Sequence, residues 1–213
     1  MNKEHIEHAL HVIKNIKVNT SNFYQIQESA ATTLHNQLDN VREEICRCIC
    51  FNLYQAAIAL TNHLSEAFLR LNIAIKESGA TDFNDEALEK IHEKFTERDG
   101  HELGKMINSA KRLGIITKDQ AKKLGEYREQ WRNPFSHGSP HQLLKDAGDI
   151  TMVTIDLKAD APFPGVDIKE VKMQSQFHLH GLFQGAKASN DAIPYFRYVD
   201  ELIIAYYDKI NNI

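Results

Sequence analysis

The sequence predicts an all-α protein with one small β element. Apolar residues recur at three- and four-residue steps in nearly every segment of the 213-residue chain, which is the period of an amphipathic helix. Alternation of apolar and polar residues, the period of a strand, is confined to about residues 150–182. We therefore expect a helical bundle that carries a small β-hairpin-like insert in that segment.

The composition is that of a globular protein, with 42% hydrophobic and 25% charged residues. No run approaches the roughly 20 apolar residues of a membrane span. Cys46, Cys48 and Cys50 are an odd number of cysteines without a secretory signal, which favours reduced thiols in the cytoplasm. We interpret them as small buried helix residues, because zinc requires about four converging ligands. No metal and no cofactor are expected.

Residues 1–40 are predicted to form a helical extension that packs on a single domain of residues 41–213. Within the extension, a short amphipathic helix is predicted over residues 4–17. Three histidines repeat at three-residue steps along it, and a solvated face is favoured over a metal site: His5, His8 and His11. A second helical pattern runs from Phe23 to Ser78, which is too long for one helix of a compact domain. A break or kink is therefore expected near residues 38–42.

The segment Phe51–Ile75 carries a broad apolar stripe at three- and four-residue steps, which predicts an amphipathic helix. Its apolar positions are Leu53, Ala57, Leu60, Leu64, Phe68, Leu71 and Ile75. His63 and Glu66 lie in the same run and are interpreted as an exposed pair.

Three further helices are predicted before residue 134. The first covers about residues 85–98, with Asn84 or Asp82 as its N-cap. The second covers 101–113 and ends at Gly114, and the third covers about 118–133. Thr117 and Gln120 have the spacing of a capping box at the start of this third helix.

The C-terminal part predicts strands followed by one helix. Residues 150–157 and 166–182 have strand-like alternation, with His178 and His180 on a solvated strand face. A last helix is expected over residues 192–210, with Pro194 in its first turn.

The segment YREQWRNPFSHG, residues 127–138, carries the strongest functional signal. It places the guanidinium of Arg132 five positions before the imidazole of His137, with the amide of Asn133 directly after the arginine. Arginine is a permanent cation that grips phosphate, and histidine can exchange a proton near neutral pH. Together they could cleave RNA through the ribose 2′-hydroxyl without a metal.

Pro134 explains how these two side chains could share a site. On a continuous helix, residues five apart differ by about 140° and point in different directions. Proline removes a backbone donor and clashes with the preceding turn, so the helix is expected to kink or end near residue 133. The net charge of −4 requires that any basic site be local or completed by a second subunit. Residues suited to such a site are Lys122, Lys123, Arg128 and Arg132.

This motif resembles that of the HEPN family, whose ribonuclease members carry Arg-x4-6-His, often with Asn, Asp or His after the arginine. The run YQAAIALTNHLSEAFLRLNIA is similar to the first core helix of HEPN bundles. The resemblance covers roughly residues 51–138 and the final helix.

The resemblance implies an all-α bundle, metal-independent RNA cleavage and a homodimer with a composite active site. Arg132 would hold the scissile phosphate and His137 would act as general base or acid, with Asn133 and Arg128 in support. A role as toxin or effector in bacterial defence or a toxin–antitoxin system, with an antitoxin or defence partner, is also implied. Some family toxins carry a modified tyrosine two residues after the histidine. Ser139 stands there in this chain, so silencing by that modification is not expected.

Two other functions remain open from the sequence. One is a non-catalytic HEPN-like helical module that binds protein or RNA, which the acidic net charge favours. The other is a metal-dependent hydrolase that uses the 11 histidines. The chain has no His-Glu-x-x-His or comparable carboxylate spacing, which argues against the hydrolase.

Overall fold

The computed structural model describes residues 18–19, 21–22, 26, 36–80, 84–132, 149–156, 165–172 and 180–211. The described chain is mostly helical, as the sequence predicted. Its elements in order are α1 (Asn36–Cys50), α2 (Tyr54–Ser78), α3 (Asp85–Thr96), α4 (Leu103–Arg112), α5 (Lys118–Tyr127), a π-helical turn (Arg128–Arg132), β1 (Asp149–Asp156), β2 (Gly165–Lys172) and α6 (His180–Asn211).

Helix α2 is the central element of the described fold. It contacts α1, α3, α4, α6 and the π-helical turn. Its contact with α6 is aromatic: the ring of Phe68 lies edge-on to Tyr206 at 5.4 Å and to Tyr207 at 6.2 Å. The apolar positions from Ala57 to Ile75 thus belong to a core helix, as expected, whereas Phe51 and Leu53 precede the helix and are exposed. His63 is exposed as predicted, whereas Glu66 is half-buried.

The predicted break near residues 38–42 is wrong, because α1 runs without interruption from Asn36 to Cys50. The chain turns instead at Phe51–Leu53, where Asn52 adopts a left-handed φ of 59°. Two backbone bonds of the Schellman type close the helix: Leu53 N–H to Cys48 C=O at 2.8 Å, and Asn52 N–H to Ile49 C=O at 3.1 Å. Asparagine tolerates the left-handed conformation, which explains why the helix ends there.

The strands β1 and β2 pair antiparallel along their whole length, from Asp149 opposite Lys172 to Asp156 opposite Gly165. Helix α6 begins at His180, so the strand face predicted for His180 is wrong; His178 lies outside the described residues. The start of the last helix at residue 192 is wrong as well, and Pro194 lies inside α6. Pro194 has no N–H, so the carbonyl of Asn190 loses its helical hydrogen-bond partner. The helix tolerates this loss because Pro194 and Asn190 are both exposed to water.

A buried ion pair joins α1 to α6. The Nε of Arg42 donates to Oδ1 of Asp200 at 2.5 Å, and both side chains are 3% exposed. A second donor of the same guanidinium, Nη1, reaches Oδ1 of Asp39 at 2.8 Å, one turn earlier in α1. The charge of Arg42 is therefore compensated from two sides.

Several predicted features fall outside the described residues. They include the helix over residues 4–17 with its histidines, so the division between an extension of residues 1–40 and a domain of 41–213 stays a prediction. Of the described helices, none is long and apolar enough to cross a membrane.

The buried tyrosines predict a loss of stability at alkaline pH. Burial raises the pKa of Tyr207, which is 7% exposed, from its ordinary value of 10 to about 12. The protonated hydroxyl is favoured in the folded state, so this contribution is complete below about pH 10 and is lost as the pH rises towards 12. We expect the free energy of unfolding to fall by about 2 kcal/mol across that window.

Urea denaturation at a series of pH values tests this expectation. The Tyr207→Phe variant should lose less stability between pH 9 and 12 than the parent. A parent midpoint that stays constant over this range would contradict the prediction.

Candidate functional site

The segment that leads into the Arg132–His137 motif starts from a well-defined helix N-terminus. The Thr117 hydroxyl accepts from Gln120 N–H at 3.2 Å, and the Gln120 side chain accepts from Thr117 N–H at 2.8 Å. This is the predicted capping box. Gly114, with a φ of 70°, ends the preceding helix α4 as predicted. The start of α5 is thereby set by local bonds.

The end of α5 differs from the prediction of a helix continuing to residue 133. Regular α-helix stops at Tyr127, and Arg128–Arg132 form a π-helical turn. Trp131 lies in this turn and is 1% exposed, which makes it the largest fully buried side chain among the described residues. The Nζ of Lys187 in α6 lies 5.1 Å from the centre of the Trp131 ring. Burial of the indole and this cation–π contact hold the turn against the bundle.

Arg128 lies against the backbone of α4. A Cβ added to Gly104 would lie 2.0 Å from Nη1 of Arg128, so the guanidinium occupies the space that a side chain at position 104 would fill. Glycine inside a helix destabilises it by about 1 kcal/mol relative to alanine. The close approach of Arg128 is the structural reason for a glycine there. Arg128 forms no ion pair with the described part of the chain.

Behind the turn lies a group that we call the tyrosine cluster: Tyr127, Tyr195, Tyr198 and Asn62. The rings of Tyr127 and Tyr195 stack with their centres 4.5 Å apart, and the ring centre of Tyr198 lies 5.3 Å from that of Tyr127. The Tyr195 hydroxyl donates to Oδ1 of Asn62 at 2.8 Å. The cluster connects α2, α5 and α6 at Tyr127, the last residue of α5 before the π-helical turn.

The tyrosine cluster is built to be neutral. Burial raises the pKa of Tyr198 to about 12 and also raises those of Tyr127 and Tyr195. The negative charge of Glu66 adds to the effect on Tyr195. Hydroxyls with such pKa values stay protonated near neutral pH, so they position the chain rather than act as bases.

The predicted site residues are only partly covered by the described structure. Arg128 is placed with its side chain. Arg132 is the last residue of the π-helical turn, and its backbone alone is described. Asn133, Pro134 and His137 lie outside the described residues, so the contact between Arg132 and His137 stays a prediction.

No group of three or more His, Cys, Asp or Glu residues in the described ranges could hold a metal ion. The three cysteines are half-buried on α1 and form no disulfide. Burial raises the pKa of Cys46 to about 11, which disfavours the thiolate that metals bind.

Comparison with known proteins does not assign a family. No family model matches the chain, and neither does a curated protein or a solved structure.

Sequence reasoning missed three residues that support the turn or the end of the helix before it: Trp131, Lys187 and Tyr195. Trp131 is the single tryptophan of the chain and stands inside the motif, which was a usable signal of an anchor. From α6, Lys187 contacts Trp131 in the turn and Tyr195 stacks on Tyr127 at the end of α5. No local pattern indicates such long-range contacts. Their roles follow only from the packing of α6 against α5.

The contact between Gly104 and Arg128 predicts a difference between two glycine substitutions. A Cβ at Gly125 in α5 would meet nothing within 4 Å. Gly125→Ala should therefore stabilise the protein by up to about 1 kcal/mol through helix propensity. Gly104→Ala should stabilise the protein by about 0.5–1 kcal/mol less than Gly125→Ala, because the Arg128 guanidinium must move.

A double-mutant cycle measured by urea denaturation checks the cause. In an Arg128→Ala background, Gly104→Ala should stabilise as much as Gly125→Ala does. If the gap between the two glycine positions persists without the arginine, the guanidinium is not its origin.

Proposed function

We propose that this protein is a metal-independent endoribonuclease of the HEPN type. The observation that carries the proposal is the departure from α-helical geometry at Arg128–Arg132, directly before the Arg-Asn-Pro-Phe-Ser-His segment. Irregular π-helical turns inside helices occur frequently at functional sites. Two contacts support a rigid platform for this chemistry: Trp131, the residue before Arg132, is buried, and the tyrosine cluster packs on Tyr127 directly before the turn.

In the proposed reaction, the ribose 2′-oxygen attacks the adjacent phosphorus and the bond to the 5′-oxygen of the next nucleotide breaks. His137 takes the proton from the 2′-hydroxyl or gives one to the leaving oxygen. Arg132 binds the phosphate and stabilises the charge that develops on it. Asn133 orients the pair by hydrogen bonding, and Arg128 adds positive charge one helical turn before Arg132.

A homodimer with a composite active site is part of this proposal. One motif offers a single titratable group, whereas 2′-hydroxyl chemistry benefits from a separate acid and base. Two motifs facing across a two-fold axis would supply both. Light scattering should then give the mass of a dimer at working concentrations, and a monomer mass would count against the shared site. An antitoxin or defence-system partner would fit an activity that must be restrained.

RNA cleavage in the presence and absence of EDTA tests the function. Continued cleavage in EDTA is the expected result, because neither Arg132 nor His137 needs a metal. Loss of cleavage in EDTA would favour a metal-dependent hydrolase. Absence of cleavage under both conditions would favour a non-catalytic helical binding module.

A further inference from the structure

We propose that the exposed face of the α4–α5 hairpin binds the phosphate backbone of single-stranded RNA and leads it towards Arg132. This inference rests on the proposed function and names the surface that would hold the substrate. It is carried by the distribution of charge, by the exposure and pairing of individual lysines, and by the direction of the hairpin.

The charge of the chain is divided unevenly. Residues 103–132 contain eight Lys or Arg and three Asp or Glu, a formal charge of +5. Since the whole chain carries −4, the remaining 183 residues together carry −9. A polyanion is therefore attracted to this hairpin and repelled by the rest of the protein. The acidic net charge thus does not exclude a nucleic-acid surface, because the positive charge is concentrated in α4, α5 and the π-helical turn that follows them.

The basic side chains of the hairpin are available to a ligand. Four lysines are exposed and form no ion pair with the described residues: Lys105, Lys111, Lys118 and Lys122. Lysines on the neighbouring helix α3 differ, since Lys90 pairs with Glu86 at 2.7 Å and Lys94 pairs with Glu97 at 2.8 Å. The lysines of the hairpin thus carry positive charge that no ion pair with the described residues compensates. The lysines of α3 are paired with glutamates of the protein itself.

The hairpin also has a direction. The contact of Gly104 with Arg128 places the first turn of α4 beside the end of α5. The two helices are therefore antiparallel, and the short connection Leu113–Thr117 joins Lys111 to Lys118 at the opposite end. From Lys118, α5 rises about 15 Å and passes directly into the turn that ends at Arg132. An RNA strand that follows the exposed lysines of α5 from Lys118 would reach Arg132 at its end.

Binding of phosphate by lysine predicts a salt dependence that can be measured. Each phosphate contact to a single strand contributes about 0.7 to the slope of log K against log salt. Removing two contacts should make this negative slope shallower by about 1.4 and weaken binding about tenfold near physiological salt. We expect this effect for Lys111→Gln/Lys122→Gln, and for Lys105→Gln/Lys118→Gln as an independent pair.

The matched control is Lys90→Gln/Lys94→Gln, which changes the net charge by the same amount on α3. It should leave the dissociation constant within about twofold, because distant exposed charges are screened by salt. All variants carry His137→Ala so that RNA is not cleaved during the measurement. Binding of a fluorescent single-stranded RNA is followed by anisotropy over a range of salt concentrations.

The proposal is overturned if the parent fails to bind the RNA, or if the hairpin and α3 variants weaken binding equally. Cleavage by the same lysine variants with His137 restored separates the two proposals. Cleavage at the parental kcat/KM by hairpin variants would reject the surface and leave the function intact. If the parent never cleaves RNA but the hairpin variants specifically lose RNA binding, the binding surface is supported and the endoribonuclease proposal is rejected.

Discussion

Arg132→Ala and His137→Ala are each expected to lower the rate of RNA cleavage by at least about 10²-fold while the protein stays folded. The first change removes the cation that would stabilise the phosphate, and the second removes the group that would transfer the proton. Arg132→Lys should lower the rate of RNA cleavage as well, because an ammonium cannot bind phosphate in the planar bidentate geometry of a guanidinium. If expression of the parent is toxic to cells, all three variants should relieve the toxicity.

Two substitutions at exposed positions away from the motif serve as matched controls: Arg47→Ala on α1 and His92→Ala on α3. Both should cleave at the parental rate. Circular dichroism must show that each motif variant is folded, since Arg132 ends a turn packed on the bundle. A folded Arg132→Ala protein that cleaves RNA as fast as the parent would show that the motif is not the active site.

The largest loss of stability is expected from breaking the buried pair of Arg42 and Asp200. Asp200→Ala should lower the free energy of unfolding by about 3–5 kcal/mol, because it removes the carboxylate that accepts from Nε of a buried guanidinium. Arg42→Ala should cost a similar amount by leaving Asp200 buried without its partner. Urea denaturation of purified protein gives these values directly.

Helix α1 supplies a control with the same chemistry and the opposite environment. The Nη2 of Arg47 also lies 2.5 Å from a carboxylate oxygen, that of Glu43, but these side chains are 68% and 62% exposed. Arg47→Ala should change stability by less than about 1 kcal/mol. Equal losses for the two arginines would mean that burial does not decide the strength of these pairs. The double change Arg42→Met/Asp200→Leu should recover much of the lost stability, because it removes both buried charges.

Helical periodicity and local capping predicted most of the described elements, because both depend on residues close in sequence. The error near residues 38–42 has a tertiary cause. Asp39 and Asn40 resemble a helix stop, but Asp39 accepts from Arg42 in the next turn and is retained within α1. The actual stop at Asn52 depends on one left-handed residue inside an otherwise helical pattern, which periodicity does not detect.

The candidate site was predictable only where its chemistry is local. Thr117, Gln120 and the basic character of the helix that follows could be seen in the sequence. The position of the Arg128 side chain against Gly104 could not, because it depends on how α4 and α5 pack. The extension of the last helix back to His180 was also missed, and with it the lysine that covers Trp131.

The π-helical turn couples the direction of the motif to one hydrophobic side chain. A π-helical turn is wider than an α-helical one, so each side chain in it advances by a smaller angle around the axis. Trp131 consequently lags behind its position on a regular helix, which turns the indole towards Lys187 on α6. If position 131 carried a small residue, the backbone could relax to a regular α-helix. Arg132 and the chain after it would then rotate together about the helix axis, so the direction of the motif depends on the burial of Trp131.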